Sequence, residues 1–197
     1  ATAVRLLSHV KPEIPGYVRI MRVQRDIPTP EIVAGVDMTN LRQKVHELGV
    51  ECNCIRCREI RESRIEDPSL HVLEYAASGG REFFITVDNA DGRLIGYCRM
   101  RFPGQSLRNE LSEGSAIIRE LHVMGAAVGI GKRDAGSGQH RGFGRQLLRR
   151  AERIATKNGK TKIVVISGIG ARGYYRRFGY RKQGPYMVKR LDTASDS

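Results

Sequence analysis

The sequence predicts an α/β (α+β) fold, in which helices flank a mixed and mostly antiparallel sheet. Four β-rich segments separated by turn residues follow one another between residues 70 and 124. An amphipathic helical pattern and a short, uniformly apolar strand come next, which is typical of a helix packed on a sheet. The first 68 residues lack this regularity and carry three cysteines between positions 52 and 57. We therefore expect a small cysteine-rich appendage before the main domain.

Residues 1–68 are predicted to form a linker and the cysteine-rich appendage. The segment Tyr17–Gln24 alternates apolar and polar residues, which predicts a strand. Apolar residues at helical spacing predict a helix over Thr39–Leu48 that ends at Gly49. Because these residues include few apolar side chains, we expect that the appendage needs a metal to fold alone.

Residues 69–197 are predicted to form the main domain. The predicted strands are Leu70–Ser78, Arg81–Asp88, Arg93–Phe102, Ser115–Met124, Lys162–Ser167 and a closing segment from Tyr180 to Leu191. The main helix is predicted over Gly142–Lys157, because its apolar residues recur on one stripe while arginines fall on the other side. A shorter helix is predicted over Ala171–Phe178.

The distribution of charge predicts a polyanionic partner. The chain has a formal net charge of +13. The segment Lys132–Arg190 contains 17 basic and 2 acidic residues, whereas residues 1–70 contain 11 and 10. Because 26 of the 34 basic residues are arginines, which bind phosphates in a bidentate way, phosphate recognition is favoured over a merely solvated surface. A nucleotide cofactor or a nucleic acid would complement the positive charge of this segment.

Hydropathy argues against a membrane location. No run of 18 apolar residues occurs, so we expect no transmembrane helix and no membrane partner. No secretory signal pattern opens the sequence, which favours a cytoplasmic protein.

The cysteine spacing predicts a metal centre. Cys52, Cys54 and Cys57 form a C-x-C-x-x-C pattern, which is poor for disulfides and suitable for zinc, against the alternative of three free thiols. Zinc takes four ligands, and the fourth stays open between His46, His9 and a group outside this sequence. Cys98 is a poor fourth ligand because it lies on the apolar face of its predicted strand.

The segment Gln139–Gly144 predicts a phosphate-binding turn. Its pattern Q-x-x-G-x-G opens the main helix, where glycines let the backbone approach a ligand and helix N–H groups are unpaired. A pyrophosphate can bind there, helped by the helix dipole. The alternative is a plain tight turn before a helix.

Several motifs in order carry a family resemblance. They are Val23–Pro28, Cys52–Glu59, Glu120–Val123, Arg133–Asp134, Gln139–Gly144, Ala151–Ala155, Ile166–Tyr180 and Gly184–Lys189. The order of elements around the glycine turn resembles the GNAT acetyltransferase fold. The motifs together are similar to the catalytic subunit of Elongator, over nearly the whole chain.

The resemblance implies a set of site residues. Acetyl-CoA would be bound by Glu120, Leu121, His122, Val123, Gln139, Arg141, Gly142, Phe143, Gly144, Arg145 and Tyr175. Tyr175 would protonate the departing thiolate, unless it is only a core aromatic residue. From its position on this strand, Glu120 would act as a base or hold a water, unless its side chain is structural and only the backbone of the strand contacts the cofactor. The cysteines Cys52, Cys54 and Cys57 would correspond to the family's zinc element.

The resemblance also implies a reaction and partners. The family adds a carboxymethyl-type group to C5 of the tRNA wobble uridine, using acetyl-CoA together with S-adenosylmethionine and a 4Fe–4S cluster. The latter two would belong to a radical-SAM domain absent from these residues, which would be a partner alongside other Elongator subunits or a second copy. The basic residues expected to contact tRNA are Arg149, Arg150, Arg153, Lys157, Arg176, Arg177, Arg181 and Lys182. The alternatives are a protein lysine acetyltransferase and a non-catalytic tRNA-binding module.

Overall fold

The computed structural model describes residues 2–24, 27–36, 38, 40–105, 108–125 and 142–192. The chain divides into two compact units, Ala1–Glu59 and Ile60–Ser197. Residues 60–68, which the sequence analysis assigned to the appendage, belong to the second unit. Within that unit, the Ile60 N–H donates a hydrogen bond to the Leu94 carbonyl oxygen at 3.0 Å.

The described part of the first unit contains three short α-helices besides a 3-10 turn at Thr29–Glu31. They are α1 (Thr2–Val10), α2 (Leu41–Glu47) and α3 (Ile55–Arg58). The helix predicted over Thr39–Leu48 is confirmed by α2, which buries Leu41 and Val45. The sequence analysis predicted no helix at α1, and α1 buries none of its residues.

The strand predicted over Tyr17–Gln24 is wrong. This segment has no strand pairing, and its carbonyl oxygens accept hydrogen bonds from outside any sheet. The Ile20 oxygen accepts from Arg42 Nη2 at 2.8 Å, and the Met21 oxygen accepts from Arg56. Arginine side chains thus satisfy the backbone groups that a neighbouring strand would otherwise bond.

The second unit contains a seven-stranded sheet in the order β1-β2-β3-β4-β5-β7-β6. Its strands are β1 (Ser69–Ala77), β2 (Gly80–Asp88), β3 (Leu94–Phe102), β4 (Ser115–Val123), β5 (Lys162–Val165), β6 (Arg181–Gln183) and β7 (Tyr186–Arg190). Strands β4 and β5 are parallel, and the other neighbours are antiparallel. The six strand predictions are confirmed, with the closing segment divided into β6 and β7.

Among its described residues, the second unit contains two further α-helices. Helix α4 (Phe143–Lys157) follows the predicted bounds within one residue, and α5 (Arg172–Arg176) follows a 3-10 turn at Ile169–Ala171. Helix α4 buries one face against the sheet. The buried residues of that face are Phe143, Leu147, Leu148, Ala151 and Ala155. Among the described residues, no helix is long and apolar enough to cross a membrane.

Candidate active site and metal centre

Strand β4 leaves its neighbour β5 halfway along its length. It pairs with β3 as far as Val123, but with β5 only over Ser115–Ile118. The last hydrogen bond on that side runs from the Ile166 N–H to the Ile118 carbonyl oxygen at 3.1 Å. In the described part of the chain, no strand pairs with Glu120–Val123 on the β5 side. We call this edge the β4 opening, and its backbone groups can bond an extended ligand.

A β-bulge lies where the two strands separate. Arg99 pairs with Glu120 while Met100 pairs with Ile118, so Arg119 is the extra residue on β4. Bulges bend a strand and re-aim the side chains that follow it. Beyond this bulge, Glu120 and His122 lie on the sheet face of their strand partners on β3, opposite the α4 face.

The first turn of α4 lies beside the β4 opening. Gly142 caps the helix with a φ of 78°, a conformation that glycine adopts without strain. The first helical hydrogen bond runs from the Gln146 N–H to the Gly142 oxygen. The N–H groups of Phe143, Gly144 and Arg145 therefore precede the helical ladder, which is the arrangement that binds anions. The predicted ligand residues Gln139 and Arg141 lie outside the described residues.

Two adjacent tyrosines on α5 have different surroundings. Tyr175 is only 6% exposed and packs edge-on against Tyr174 and Tyr180, and burial raises its pKa to about 12. Tyr174 is half-buried, and its hydroxyl lies over Gly144, where a Cβ would stand 2.5 Å from the Oη and 3.5 Å from Val123 Cγ2. For contact with a ligand in the β4 opening, the structure favours Tyr174, which the sequence analysis passed over.

Glu120 is the centre of a hydrogen-bond network with β3. Its Oε2 accepts from the Tyr97 hydroxyl at 2.7 Å, and its Oε1 accepts from Arg99 Nε at 3.2 Å. Burial acts to raise the pKa of Glu120, but the Tyr97 hydroxyl, the Arg99 guanidinium and nearby His122 outweigh burial and lower it. A carboxylate held in its ionised form by two donors is a weak base. This geometry favours a structural role for Glu120.

His122 is exposed beside this network. Its ring lies 5.2 Å from the Tyr97 ring, with 32° between their planes. Tyr97 is its cross-strand partner and is 1% exposed. The sequence analysis assigned His122 to cofactor contact through its strand, and it missed Tyr97 and Arg99, whose partners are set by strand register.

The candidate metal centre lies in the first unit. The Sγ atoms of Cys52, Cys54 and Cys57 lie within 4.8 Å of one another. Burial raises the pKa of Cys52 to about 11. Burial also opposes ionisation of Cys54, but backbone hydrogen bonds from Cys57 and Ile20 outweigh it and lower the pKa of Cys54 to about 7. Three convergent thiols, of which Cys54 has a lowered pKa, fit an ion that prefers sulfur ligands, such as zinc.

Three polar side chains of described residues surround the Cys57 Sγ atom. His46 Nε2 lies 3.4 Å from Cys57 Sγ, and the buried Lys11 directs its Nζ to the same two atoms at 3.4 and 3.7 Å. Arg42 donates to Cys57 Sγ at 3.4 Å. Were a divalent ion bound by three thiolates, these cations would offset the excess negative charge. The His9 ring lies within hydrogen-bond distance of the Arg5 carbonyl oxygen rather than of Cys57.

The predicted basic surface is exposed in the second unit. Its members are Arg149, Arg150, Arg153, Lys157, Arg176, Arg177, Arg181 and Lys182. Three of them recur every fourth residue on α4 and span about 12 Å of its length. Within the residues that the structure describes, none of the α4 cations pairs with a carboxylate. Like charges at this spacing destabilise a helix unless an anion neutralises them.

Comparison with known proteins identifies relatives along almost the whole chain. The acetyltransferase (GNAT) family profile matches residues 51–180. Elongator complex protein 3 of Homo sapiens is 42% identical over 201 residues, which cover 95% of this chain and 37% of that protein. The tRNA uridine(34) acetyltransferase of Methanocaldococcus jannaschii is 40% identical over 205 residues, which cover 96% and 38%.

A solved structure extends the comparison to three dimensions. The archaeal Methanocaldococcus infernus Elp3 with an N-terminal deletion aligns with a TM-score of 0.85 and 40% identity, covering 95% of this chain and 48% of that one. The predicted fold class and the resemblance stated from the motifs are thereby confirmed. The chain spans less than half the length of these relatives.

Proposed function

Because the chain belongs to the GNAT acetyltransferase family, we propose that it is the acetyl-CoA-binding domain of a tRNA wobble-uridine modification enzyme. One observation carries the cofactor assignment. The β4 opening, the first turn of α4 and the Tyr174 hydroxyl converge within the second unit. A cofactor that joins a thioester to a pyrophosphate requires three groups. They are a backbone that can form hydrogen bonds, a helix end that binds anions and a proton donor.

Each of these groups has a separate task in the proposal. The backbone of Glu120–Val123 holds the extended arm of the cofactor, and the N–H groups at the start of α4 hold its pyrophosphate, together with the predicted Gln139 and Arg141. The thioester supplies an activated acetyl group when the cofactor is bound. Tyr174, or the sequence-predicted Tyr175, donates the proton that the departing thiolate needs. The position of its hydroxyl over Gly144, in the first turn of α4, favours Tyr174.

The relatives support tRNA as the proposed substrate, because one of them is named a tRNA uridine(34) acetyltransferase. The α4 cations, none of which pairs with a carboxylate of a described residue, fit an RNA backbone, as do the exposed arginines that follow on and after α5. The same surface would repel lysine-rich peptides, so protein acetylation is disfavoured. We assign the full reaction, with S-adenosylmethionine, an iron–sulfur cluster and further subunits, to proteins that have the full length of the relatives. We propose that zinc is held by Cys52, Cys54 and Cys57, with His46 as the nearest further donor.

Calorimetric titration with acetyl-CoA tests the cofactor site. Gly142 and Gly159 provide a matched pair, since they flank the two ends of α4 with φ values of 78° and 70°, and no described residue lies within 4 Å of either Cβ position. Gly142→Glu and Gly159→Glu carry the same backbone strain and charge. We expect the first variant to lose binding and the second to bind as the wild type does. Equal binding by all three proteins would contradict the site.

Titration with tRNA at several salt concentrations tests the substrate. Arg153→Glu should weaken binding and reduce the slope of log affinity against log salt by about 1. Arg93→Glu is the control, because it makes the same charge change at a turn residue already paired with Asp91 at 3.3 Å. If the two variants weaken binding equally, net charge rather than the α4 surface determines it.

A further inference from the structure

A cavity of about 560 Å³ lies in the second unit, at the other end of α4 from the β4 opening. The β1–β2 hairpin, the end of β3 and the residues after α4 bound this cavity. It is lined by residues 76–81, 102–104, 158 and 160, and we call it the hairpin cavity. Its volume suits a group of the size of a nucleotide rather than a single ion.

The lining of the hairpin cavity is basic. Among its described residues it has two cations, Arg81 and Lys160, and no carboxylate. Both cations lie over the Phe102 ring, with Arg81 Cζ at 5.6 Å and Lys160 Nζ at 5.0 Å from the ring centre. The electron-rich ring thus stabilises two cations side by side. Lys160 Nζ donates to the Glu113 carbonyl oxygen at 2.7 Å and pairs with no carboxylate in the described part of the chain, so its charge can neutralise a phosphate.

The guanidinium group of Arg81 is held in a fixed position. Its Nε and Nη2 contact Glu74 Oε1 at 2.7 and 2.6 Å, and its Nη1 donates to Asn158 Oδ1 at 3.0 Å. Its Cζ lies over the rings of Phe83 and Phe102, while 48% of the side chain is exposed. Because each of the three nitrogens already has an acceptor, the exposed part of the group offers a ligand its flat face more than its edge. Nucleobases stack on guanidinium planes of this kind.

The hairpin cavity continues the basic surface of α4. Arg149, Arg153 and Lys157 lie along that helix, and Asn158 follows its last residue. Helix α4 extends about 22 Å from its first turn, beside the β4 opening, to this end. A nucleotide in the hairpin cavity is therefore separated by the length of α4 from the group that reacts at the cofactor.

We propose that the hairpin cavity binds one unpaired nucleotide of an RNA strand that lies along α4, with the base stacked on Arg81 and a phosphate on Lys160. This inference rests on the proposed function, since it takes tRNA as the substrate, and it adds a second nucleotide besides the wobble uridine. Unpaired loops are the parts of an RNA whose bases can leave the stack and bind protein in this way. Binding in the cavity sets the position of the strand relative to the cofactor.

A series of fluorescently labelled anticodon stem-loop RNAs tests the proposal by anisotropy. In each RNA, one loop nucleotide other than the wobble uridine is replaced by an abasic residue. The wild type should bind one of these RNAs about 10-fold more weakly than the intact loop, as expected for the loss of one base stack. Arg81→Lys keeps the charge but not the plane, so it should bind the intact loop about 10-fold more weakly and no longer distinguish that abasic RNA. Lys160→Gln should reduce the slope of log affinity against log salt by about 1.

The matched control is Arg93→Lys. Arg93 is also a half-exposed arginine paired with a carboxylate, Asp91 at 3.3 Å, but it lies in the turn between β2 and β3. This change should leave every affinity as in the wild type.

Three outcomes overturn the proposal for the hairpin cavity. They are equal binding of all the abasic RNAs by the wild type, wild-type affinities in Arg81→Lys, and an unchanged loss at the abasic position in Arg81→Lys. Displacement of the RNA by adenosine or uridine monophosphate from the wild type but not from Arg81→Lys would assign the cavity to a free nucleotide, which also overturns it. A folded wild type that binds no stem-loop RNA overturns the proposed substrate instead.

Discussion

Replacing Gly144 by alanine tests the contact that distinguishes Tyr174 from Tyr175. A Cβ at this position would lie 2.5 Å from the Tyr174 Oη but 3.5 Å from its Cζ and from Val123 Cγ2. The overlap thus involves the hydroxyl alone. Tyr174 cannot retreat easily, because Tyr175 and Phe178 flank its ring at 5.4 and 5.0 Å.

The two contributions to the stability of Gly144→Ala have opposite signs. Alanine favours a helix over glycine by up to about 1 kcal/mol. Forcing a methyl group into an occupied space costs about 1–3 kcal/mol. We expect a net loss of about 0–2 kcal/mol in the wild type. In Tyr174→Phe the hydroxyl is gone, so the same substitution should stabilise the chain, and the coupling energy should be about 1–3 kcal/mol.

Urea unfolding followed by circular dichroism measures all four members of this cycle. Gly173→Ala is the matched control, because Gly173 is also the second residue of its helix but has nothing within 4 Å of its Cβ position. It should stabilise the wild type and Tyr174→Phe equally. If Gly144→Ala stabilises both backgrounds as Gly173→Ala does, then the Tyr174 hydroxyl does not lie over α4.

Three further predictions concern other parts of the chain. Glu152→Ala should lower the free energy of unfolding by about 2–3 kcal/mol in urea titrations, and Glu152→Gln by less, because the buried Tyr180 hydroxyl donates to this carboxylate at 2.9 Å. Cys54→Ser should reduce zinc, measured by mass spectrometry of the metal, well below one ion per chain, whereas Cys98→Ser should not. Because the pKa of folded Glu120 lies below its ordinary value of 4.5, its ionised form stabilises the fold above that pH, and this contribution is lost as the pH falls through the folded pKa. Glu120→Gln should therefore lose less stability than the wild type between neutral and acidic pH.

Each of these predictions has an outcome that would contradict it. Equal stability of Glu152→Ala and the wild type would mean that its partners find other acceptors. Full zinc content in Cys54→Ser would show that the Cys54 thiol is not a ligand of the metal centre. A wild-type pH dependence in Glu120→Gln would show that the hydrogen bonds from Tyr97 and Arg99 do not lower the pKa of this carboxyl.

The strands of the main domain were predictable because local sequence sets them. The turn between β1 and β2 is an example, since Ser78 and Gly79 have φ values of 46° and 69°, and such residues mark tight hairpins. Tyr17–Gln24 shows the limit of this reasoning. Its alternation is equally strand-like, but a strand exists only where a neighbour supplies hydrogen bonds, and that is a tertiary property.

The site was predictable in its backbone and less so in its side chains. The glycine at the start of α4 was predictable, because glycine adopts the positive φ of Gly142 without strain. The tyrosine spacing cannot distinguish which of two adjacent rings faces the core, since that depends on the exact rotation of α5. The sequence did not predict the hydrogen bonds from Tyr97 and Arg99 to Glu120 either, because these contacts depend on the register of two strands.

The bulge at Arg119 connects the sequence of β4 to the chemistry proposed for it. Before the bulge, Ala116 and Ile118 are the core residues, and regular alternation would place 120 and 122 in the core as well. The core instead receives Leu121 and Val123. An extra residue is therefore needed, because a buried carboxylate and imidazole against α4 would be costly. The shift of apolar residues from even to odd positions is the sequence signal of this bulge. The same extra residue lies at the point where β4 parts from β5, so one local irregularity coincides with the start of the proposed cofactor cleft and places Glu120 and His122 on the sheet face opposite α4.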